Sequence, residues 1–400
     1  MCGIFGIWHL DGRPLDLSTV QRAVTVLRHR GPDDEGYLLV NTQTGRAVLC
    51  GGLHTDASLN LPPINAFYGE VFDLALGFRR LAILDLSPAG HQPMTSADRR
   101  FWIVYNGEVY NYVELRAELT SYGFEFRTGT DTEVILAAYQ QWGPECLSHF
   151  NGMWAFAIWD QRERQLFCAR DRCGVKPFYY TYDGVRFAFA SEIKALFCDP
   201  ATPVRPNNQH IYDYLVLGYL NHTDETLFEG VLQLGAANYM LLGESGSLRI
   251  SRYWDLAPEK PSPRPDKEWV AEFRQTLQDA VRLRLRSDVP VGSCLSGGID
   301  SSTIVCTVNQ LLSSEIRPDF HTRMGDHQKT FSSIFNYPDI DEKPFIEAVL
   351  QQTGAEEHTV TPRGEELMQT APRLVWHQGE PFGSTTIYAQ WHVMQLARSA

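Results

Sequence analysis

Four prolines between residues 258 and 265, in the run APEKPSPRPD (257–266), divide this chain into two stretches of different texture. Proline fixes φ and removes an amide donor, so so dense a run neither crosses a sheet interior nor continues a helix. Before it, residues 1 to about 195 read mostly as strands: VFDLALGFRRLAILDL (71–86), RFWIVYNGEVYN (100–111), GMWAFAIWD (152–160), RQLFCAR (164–170) and VRFAFAS (185–191). Aromatic and β-branched residues fill these runs and short turn signals separate them. Two helices are expected among them, near 18–28 and over 131–143, the second with Asp131 as N-cap. Strands with a few helices fit a layered α+β fold. After the prolines the pattern alternates. A long amphipathic helix (266–288) opens at Asp266 as N-cap and carries Trp269, Phe273, Leu277, Val281 and Leu285 on one face. Strand-like VPVGSCL (289–295) and TFSSIFN (330–336) then alternate with helix-like STIVCTVNQLL (302–312) and KPFIEAVLQQTG (343–354). That alternation predicts an α/β doubly wound parallel sheet. The expected division is residues 2–195 as one domain, 196–265 as connecting segment and linker, and 266–400 as the N-terminal part of a second domain.

Composition excludes several classes. The net charge of −13 argues against a nucleic-acid or anionic-membrane partner. No run approaches the roughly 18–20 apolar residues of a membrane helix. The start, MCGIFGIWHLDGRP, has no basic region and is broken by polar residues, so a secretory signal is not expected. Eight cysteines at 2, 50, 146, 168, 173, 198, 294 and 306 form no CxxC pair. Scattered reduced thiols and a cytoplasmic location are expected.

Cys2 stands apart by position. Removal of Met1 would make it the N-terminus, and an α-amine of pKa about 7.7–8.0 can serve as general base for its own thiol. The alternative is an ordinary cysteine at an ordinary start. Behind it, in order, come LRHRGPDDEG (27–36), RRLAILD (79–85), YNGEVYN (105–111), GTDTE (129–133) and FNGMWAFAIWD (150–160). Together with MCGI they resemble the class II glutamine amidotransferase domain, an N-terminal-nucleophile hydrolase with a layered α+β sandwich. The resemblance implies that Cys2 is the nucleophile and that the Asn106 side chain and the Gly107 N–H form the oxyanion hole. It places Leu81 and Leu84 in the glutamine pocket. Arg80 can pair with the substrate carboxylate, and Glu108 and Asp131 can accept from its ammonium. Blander readings stand beside these. Asn106-Gly107 can be a hairpin turn, Asp131 a helix cap, and either Arg79 or Arg80 a surface charge. His29 reads as structural.

Leu295-Ser296-Gly297-Gly298-Ile299-Asp300-Ser301-Ser302 lies between a strand and a helix. Two glycines let backbone curl around a phosphate, with hydroxyls and helix N-terminal N–H groups as donors. Neither a Walker ending nor GxGxxG is present. The segment resembles the SGGxDS loop of ATP pyrophosphatases. By that resemblance Leu295, Ser296, Gly297, Gly298, Asp300, Ser301 and Ser302 meet ATP or pyrophosphate, Asp300 also holds Mg²⁺, and Ser333 contacts adenine. The two domains in this order resemble the glutamine-hydrolysing asparagine synthetase family. The cofactors implied are ATP and Mg²⁺. The partners implied are glutamine, ATP and a carboxylate acceptor, aspartate, with a homodimer allowed. The rival readings are an amidotransferase of a natural-product pathway with another carboxylate, a non-synthetic ammonia-donor subunit, and a phosphoribosyl-pyrophosphate-using amidotransferase. Asp341-Glu342 and Glu380-Pro381-Phe382-Gly383 resemble landmarks near the acceptor site. Two departures are expected to matter. Residues 41–72 read as an inserted surface loop. The chain stops at Ala400 inside a helix, before a second glycine-rich acidic motif, so the second domain is expected to be truncated.

Overall fold

The computed structural model describes residues 1–257, 264–313, 328–335 and 341–400. It falls into two compact units, Met1–Ala257 and Pro258–Ala400. The strands of the first unit are β1 (Gly3–His9), β2 (Asp34–Asn41), β3 (Arg46–Cys50), β4 (Leu74–Arg80), β5 (Met94–Thr95), β6 (Phe101–Val109), β7 (Gly152–Asp160), β8 (Gln165–Arg170), β9 (Tyr179–Tyr182), β10 (Arg186–Ala190), β11 (Leu232–Gln233), β12 (Asn238–Gly243) and β13 (Leu248–Arg252). They form a seven-stranded sheet, β11-β9-β10-β1-β4-β2-β3, and a six-stranded sheet, β13-β12-β8-β7-β6-β5.

Side-chain alternation sorts each strand between two cores. Ile4 and Trp8 of β1, Leu74, Leu76 and Phe78 of β4, and Trp102 and Val104 of β6 meet between the sheets. The opposite face of the first sheet, with Phe5, Ile7, Tyr37 and Ala75, packs on the helix Leu17–Val26. The opposite face of the second, with Ile103, Tyr105, Val109 and Phe156, packs on the helices Tyr112–Ser121 and Asp131–Trp142. The result is a helix–sheet–sheet–helix sandwich.

Three expectations shift here. Residues 196–265 are more than a connection, because β11 extends the first sheet while β12 and β13 extend the second. β11 has only two residues, and β12 and β13 are defined by their pairing with β8 and with each other. Residues 41–72 are not wholly a surface insertion: β3 pairs along β2 from Tyr37↔Cys50 to Asn41↔Arg46. Asp131 is the first helical residue rather than the cap. Thr130 is the N-cap, its side chain accepting from Glu133 N–H.

In the second unit β14 (Gly292–Cys294), β15 (Lys329–Ser333) and β16 (Glu356–Val360) form a parallel sheet in that order. Residue 336 of the expected second strand, like 258–263 of the proline-rich run, lies outside the described residues. The helix Asp266–Arg284 starts at Asp266 with Pro265 as its cap residue, so Asp266 is not the N-cap. Its apolar face is buried only at the C-terminal end, where Val281 and Leu285 pack on Val308. Trp269 and Phe273 stay 44% and 69% exposed. Among the described residues no helix is long and apolar enough to cross a membrane. All eight cysteines are free.

Candidate active site

The alternation that builds the inter-sheet core also builds the site. Cys2, Arg80, Asn106 and Glu108 continue the inward-facing positions of β1, β4 and β6 to the point where apolar side chains run out. There a cleft opens, lined by Cys2, Arg80, Leu81, Leu84, Asn106, Gly107, Glu108 and Asp131. Every residue expected at the glutamine site therefore borders one cavity.

The pairing of β1 with β4 puts Gly3 opposite Arg79, which brings Cys2 to Leu81. Cys2 Sγ lies 3.4 Å from Leu81 N, which donates to it, and 3.7 Å from Leu81 O. Burial pushes the thiol pKa up; the Leu81 N–H, the N-terminal amine, Arg80 and Arg30 pull it back. The Met1 amine is pushed down to about 6, first by burial and further by Arg30 and Lys176. Arg30 Nε donates to Cys2 O at 2.9 Å, which fixes the chain start.

Asn106 and Gly107 sit inside β6, opposite Ala155 and Trp154 of β7, so the hairpin-turn reading is excluded. Asn106 is 1% exposed, and neither its Nδ2 nor its Oδ1 finds a protein hydrogen-bond partner. An unpaired buried amide bordering a cleft is the arrangement expected of a group reserved for a ligand. Gly107 has no room for a side chain: a Cβ would stand 2.3 Å from Met153 O and 2.7 Å from Trp154 Cα.

The adjacent arginines divide by strand parity. Arg80 enters the cleft wall, donating through Nη1 to Ser87 O at 2.7 Å and through Nη2 to Leu84 O at 3.3 Å and to Asp85 O. Arg79 points the other way, fully buried against Glu35 Oε2 at 2.5 Å, with Nε donating to Val24 O. It is a core ion pair rather than a surface charge. Asp131 accepts from Tyr105 O–H at 2.8 Å and Val109 N–H at 2.9 Å, and burial raises its pKa to about 6. It therefore holds β6 to its helix as well as bordering the cleft. His29 has the structural setting expected of it, 3.0 Å from Glu192 Oε1.

Sequence reasoning missed Gln92, Thr132 and Lys176, which also line the cleft. Gln92 Oε1 accepts from Tyr105 N at 2.7 Å and its Nε2 donates to Thr132 Oγ1 at 3.2 Å. No spacing ties these three to Cys2; only the folding of separate strands brings them together.

In the second unit the glycine-rich segment leaves β14 and enters the helix Ile299–Ser313. Gly297 takes φ +86°, and a Cβ there would lie 2.9 Å from Glu342 O. Ser296 and Ser301 hydroxyls are 3.0 Å apart, and Ser296 N donates to Ser301 Oγ at 3.2 Å. Ser332 Oγ donates to Leu295 O at 2.6 Å, locking the loop base to β15. Because β14 and β15 run parallel, Ser333 ends at the same carboxyl edge as the loop. Asp300 is exposed in the helix's first turn.

A glutamine amidotransferase domain model matches residues 65–254, and an asparagine synthase model matches residues 272–400. A putative glutamine-hydrolysing asparagine synthetase 2 of Methanocaldococcus jannaschii is 34% identical over the whole of this chain and 72% of its own. Glutamine-hydrolysing asparagine synthetases 3 and 1 of Bacillus subtilis are 35% and 31% identical, covering 90% and 100% of this chain. The chain spans 54% and 56% of those two proteins. On these matches, which run across both units, the chain belongs to the glutamine-hydrolysing asparagine synthetase family.

Proposed function

We propose that the first unit hydrolyses glutamine at Cys2 and that the second uses ATP to activate a carboxylate for amidation, with aspartate as the acceptor. The observation that carries the first half is the unpartnered Asn106 amide in the cleft that holds the Cys2 thiol. Once Met1 is removed, the amine of Cys2 takes the thiol proton and the thiolate attacks the glutamine amide carbon. Asn106 Nδ2 and Gly107 N–H receive the oxyanion. The C–N bond breaks, the ammonium returns its proton, and ammonia leaves. Water then cleaves the thioester, giving glutamate and restoring the thiol. Arg80 meets the substrate carboxylate, Glu108 and Asp131 its ammonium, and Leu81 and Leu84 form the wall.

In the second unit, Ser296, Gly297, Gly298, Ser301 and Ser302 would cradle the pyrophosphate portion of ATP. The left-handed backbone at Gly297 and the neighbouring Ser296 and Ser301 hydroxyls fit a loop that curls around a phosphate. The exposed Asp300 carboxylate is a hard oxygen ligand suited to Mg²⁺, which would offset phosphate charge. Acceptor carboxylate oxygen attacks the α-phosphorus and pyrophosphate departs. Ammonia then displaces AMP, giving the amide.

The test is a product assay. Protein is incubated with glutamine, MgATP and a panel of carboxylic acids including aspartate, and products are identified by mass spectrometry. Glutamate, AMP, pyrophosphate and asparagine are expected, with glutamate formation lost in Cys2→Ala. Amidation of another acid would replace aspartate as acceptor. Glutamate release by Cys2→Ala would overturn the nucleophile.

A further inference from the structure

We propose that Lys176 is an electrostatic positioning residue of the glutaminase site, its ammonium favouring the proton-free forms of the Cys2 amine and thiol. This rests on Cys2 being the nucleophile. Lys176 lies between β8 and β9 on a closely pinned backbone. The Asp171 carboxylate accepts from the N–H groups of Cys173 at 3.1 Å, Val175 at 2.9 Å and Lys176 at 2.9 Å. Arg170 Nε donates to Lys176 O at 2.8 Å. The residue is 9% exposed, yet it lines the Cys2 cleft. Among the described residues its only hydrogen bonds are those of its backbone.

That makes it unlike the other cations nearby. Arg30 Nη1 and Lys194 Nζ both rest on Glu192, at 2.9 and 2.8 Å. Arg80 is engaged by three carbonyls. Because the Lys176 backbone is fixed at the cleft wall, its charge acts on the groups that share that cleft. The charged and titratable groups sharing the cleft with Lys176 are the Met1 terminus and Cys2 just before β1, Arg80 from β4, Tyr105 and Glu108 from β6, and Asp131 from the helix behind it. Arg30 reaches Cys2 from the loop after the helix Leu17–Val26. Glu108 attracts Lys176, and the field of Lys176 reaches the Cys2 thiol and the Met1 amine, one residue before the nitrogen that becomes the amine of Cys2 when Met1 is removed. A cation beside an amine and thiol disfavours an added proton on either one. The last proton that must leave the resting site before catalysis is therefore released at lower pH. Lys176 acts through Cys2, and the catalytic proton transfers remain those of the amine and thiol.

The experiment compares wild type, Lys176→Met and Lys176→Arg, each with Met1 removal verified by mass spectrometry and folding by thermal melting. Lys176→Gln replaces the Met variant if that fails to fold. The readout is the pH dependence of kcat/KM for glutamine hydrolysis, with the rate of Cys2 alkylation by iodoacetamide as a substrate-free parallel. Loss of the charge should move the acid limb up by about one pH unit, while Lys176→Arg should restore it. A folded Met or Gln variant whose limb overlays the wild type overturns the proposal, even if activity drops uniformly. So does an Arg variant whose limb stays displaced. Failure of the underlying reading shows differently: wild type without glutaminase activity, or activity surviving in Cys2→Ala.

Discussion

Asn106→Ala should separate stability from activity, with opposite signs. The Asn106 side chain is 1% exposed and both amide heavy atoms lack protein partners. A buried polar group left unpaired costs about 1–3 kcal/mol. Truncation removes that cost. It also removes packing of a small side chain beside an open cleft, which offsets roughly 1 kcal/mol of the gain. Stability should therefore stay level or rise by up to about 2 kcal/mol, lifting Tm by a few degrees. Catalysis should respond in the other direction. Loss of one oxyanion donor lowers kcat by about 10²–10³, equivalent to about 2.7–4 kcal/mol of transition-state stabilisation. KM should change little, because the interaction forms with the developing oxyanion and not with bound substrate. Steady-state glutaminase kinetics and thermal unfolding of the same preparations decide the matter. A clear fall in Tm with kcat preserved would make Asn106 a structural residue and refute the reasoning.

Arg80→Ala should raise KM for glutamine far more than it lowers kcat; Arg80→Lys should not restore binding, because a single ammonium cannot span the carbonyls of Leu84, Asp85 and Ser87 as the guanidinium does. Unchanged KM in either variant would remove Arg80 from substrate recognition. Arg79→Ala should destabilise the first unit by about 3–5 kcal/mol in urea unfolding, since it strands the buried Glu35 carboxylate; a loss under 1 kcal/mol would contradict the core-pair assignment. The Asp131 pKa, raised to about 6 in the fold, lies above the unfolded value, so the folded state holds the proton more tightly. Its contribution to stability is therefore present below about pH 4 and is lost as pH rises through 6. Relative to Asp131→Asn, wild type should lose stability across that window, and a pH-independent difference would rule this out.

How much was legible in the sequence differs between the units and within the site. Strand-rich and alternating textures marked two folds, because side-chain period is a local property of each segment. MCGI, RRLAILD, NGE and GTDTE named the residues around the cleft, and SGGIDSS named the glycine-rich turn. β11–β13 escaped, since their strand status comes from pairing, β11 with β9, β12 with β8 and β13 with β12. The cap at Asp131 was misassigned by one residue, a matter of φ/ψ at Thr130 that composition does not encode.

The sequence by itself determined the chemistry available: a thiol at position 2, an amide, two carboxylates and an arginine in recognisable order, and a small-residue loop between a strand and a helix. Tertiary structure decided which of these face one another. Parity along β4 sent Arg80 into the cleft and Arg79 into the core, a choice invisible in two adjacent identical letters. The same packing brought Lys176 beside Cys2 across more than 170 residues of chain. Strand pairing joins segments by register rather than by sequence distance, so the electrostatic surroundings of the nucleophile exist only once the sheets have closed on each other.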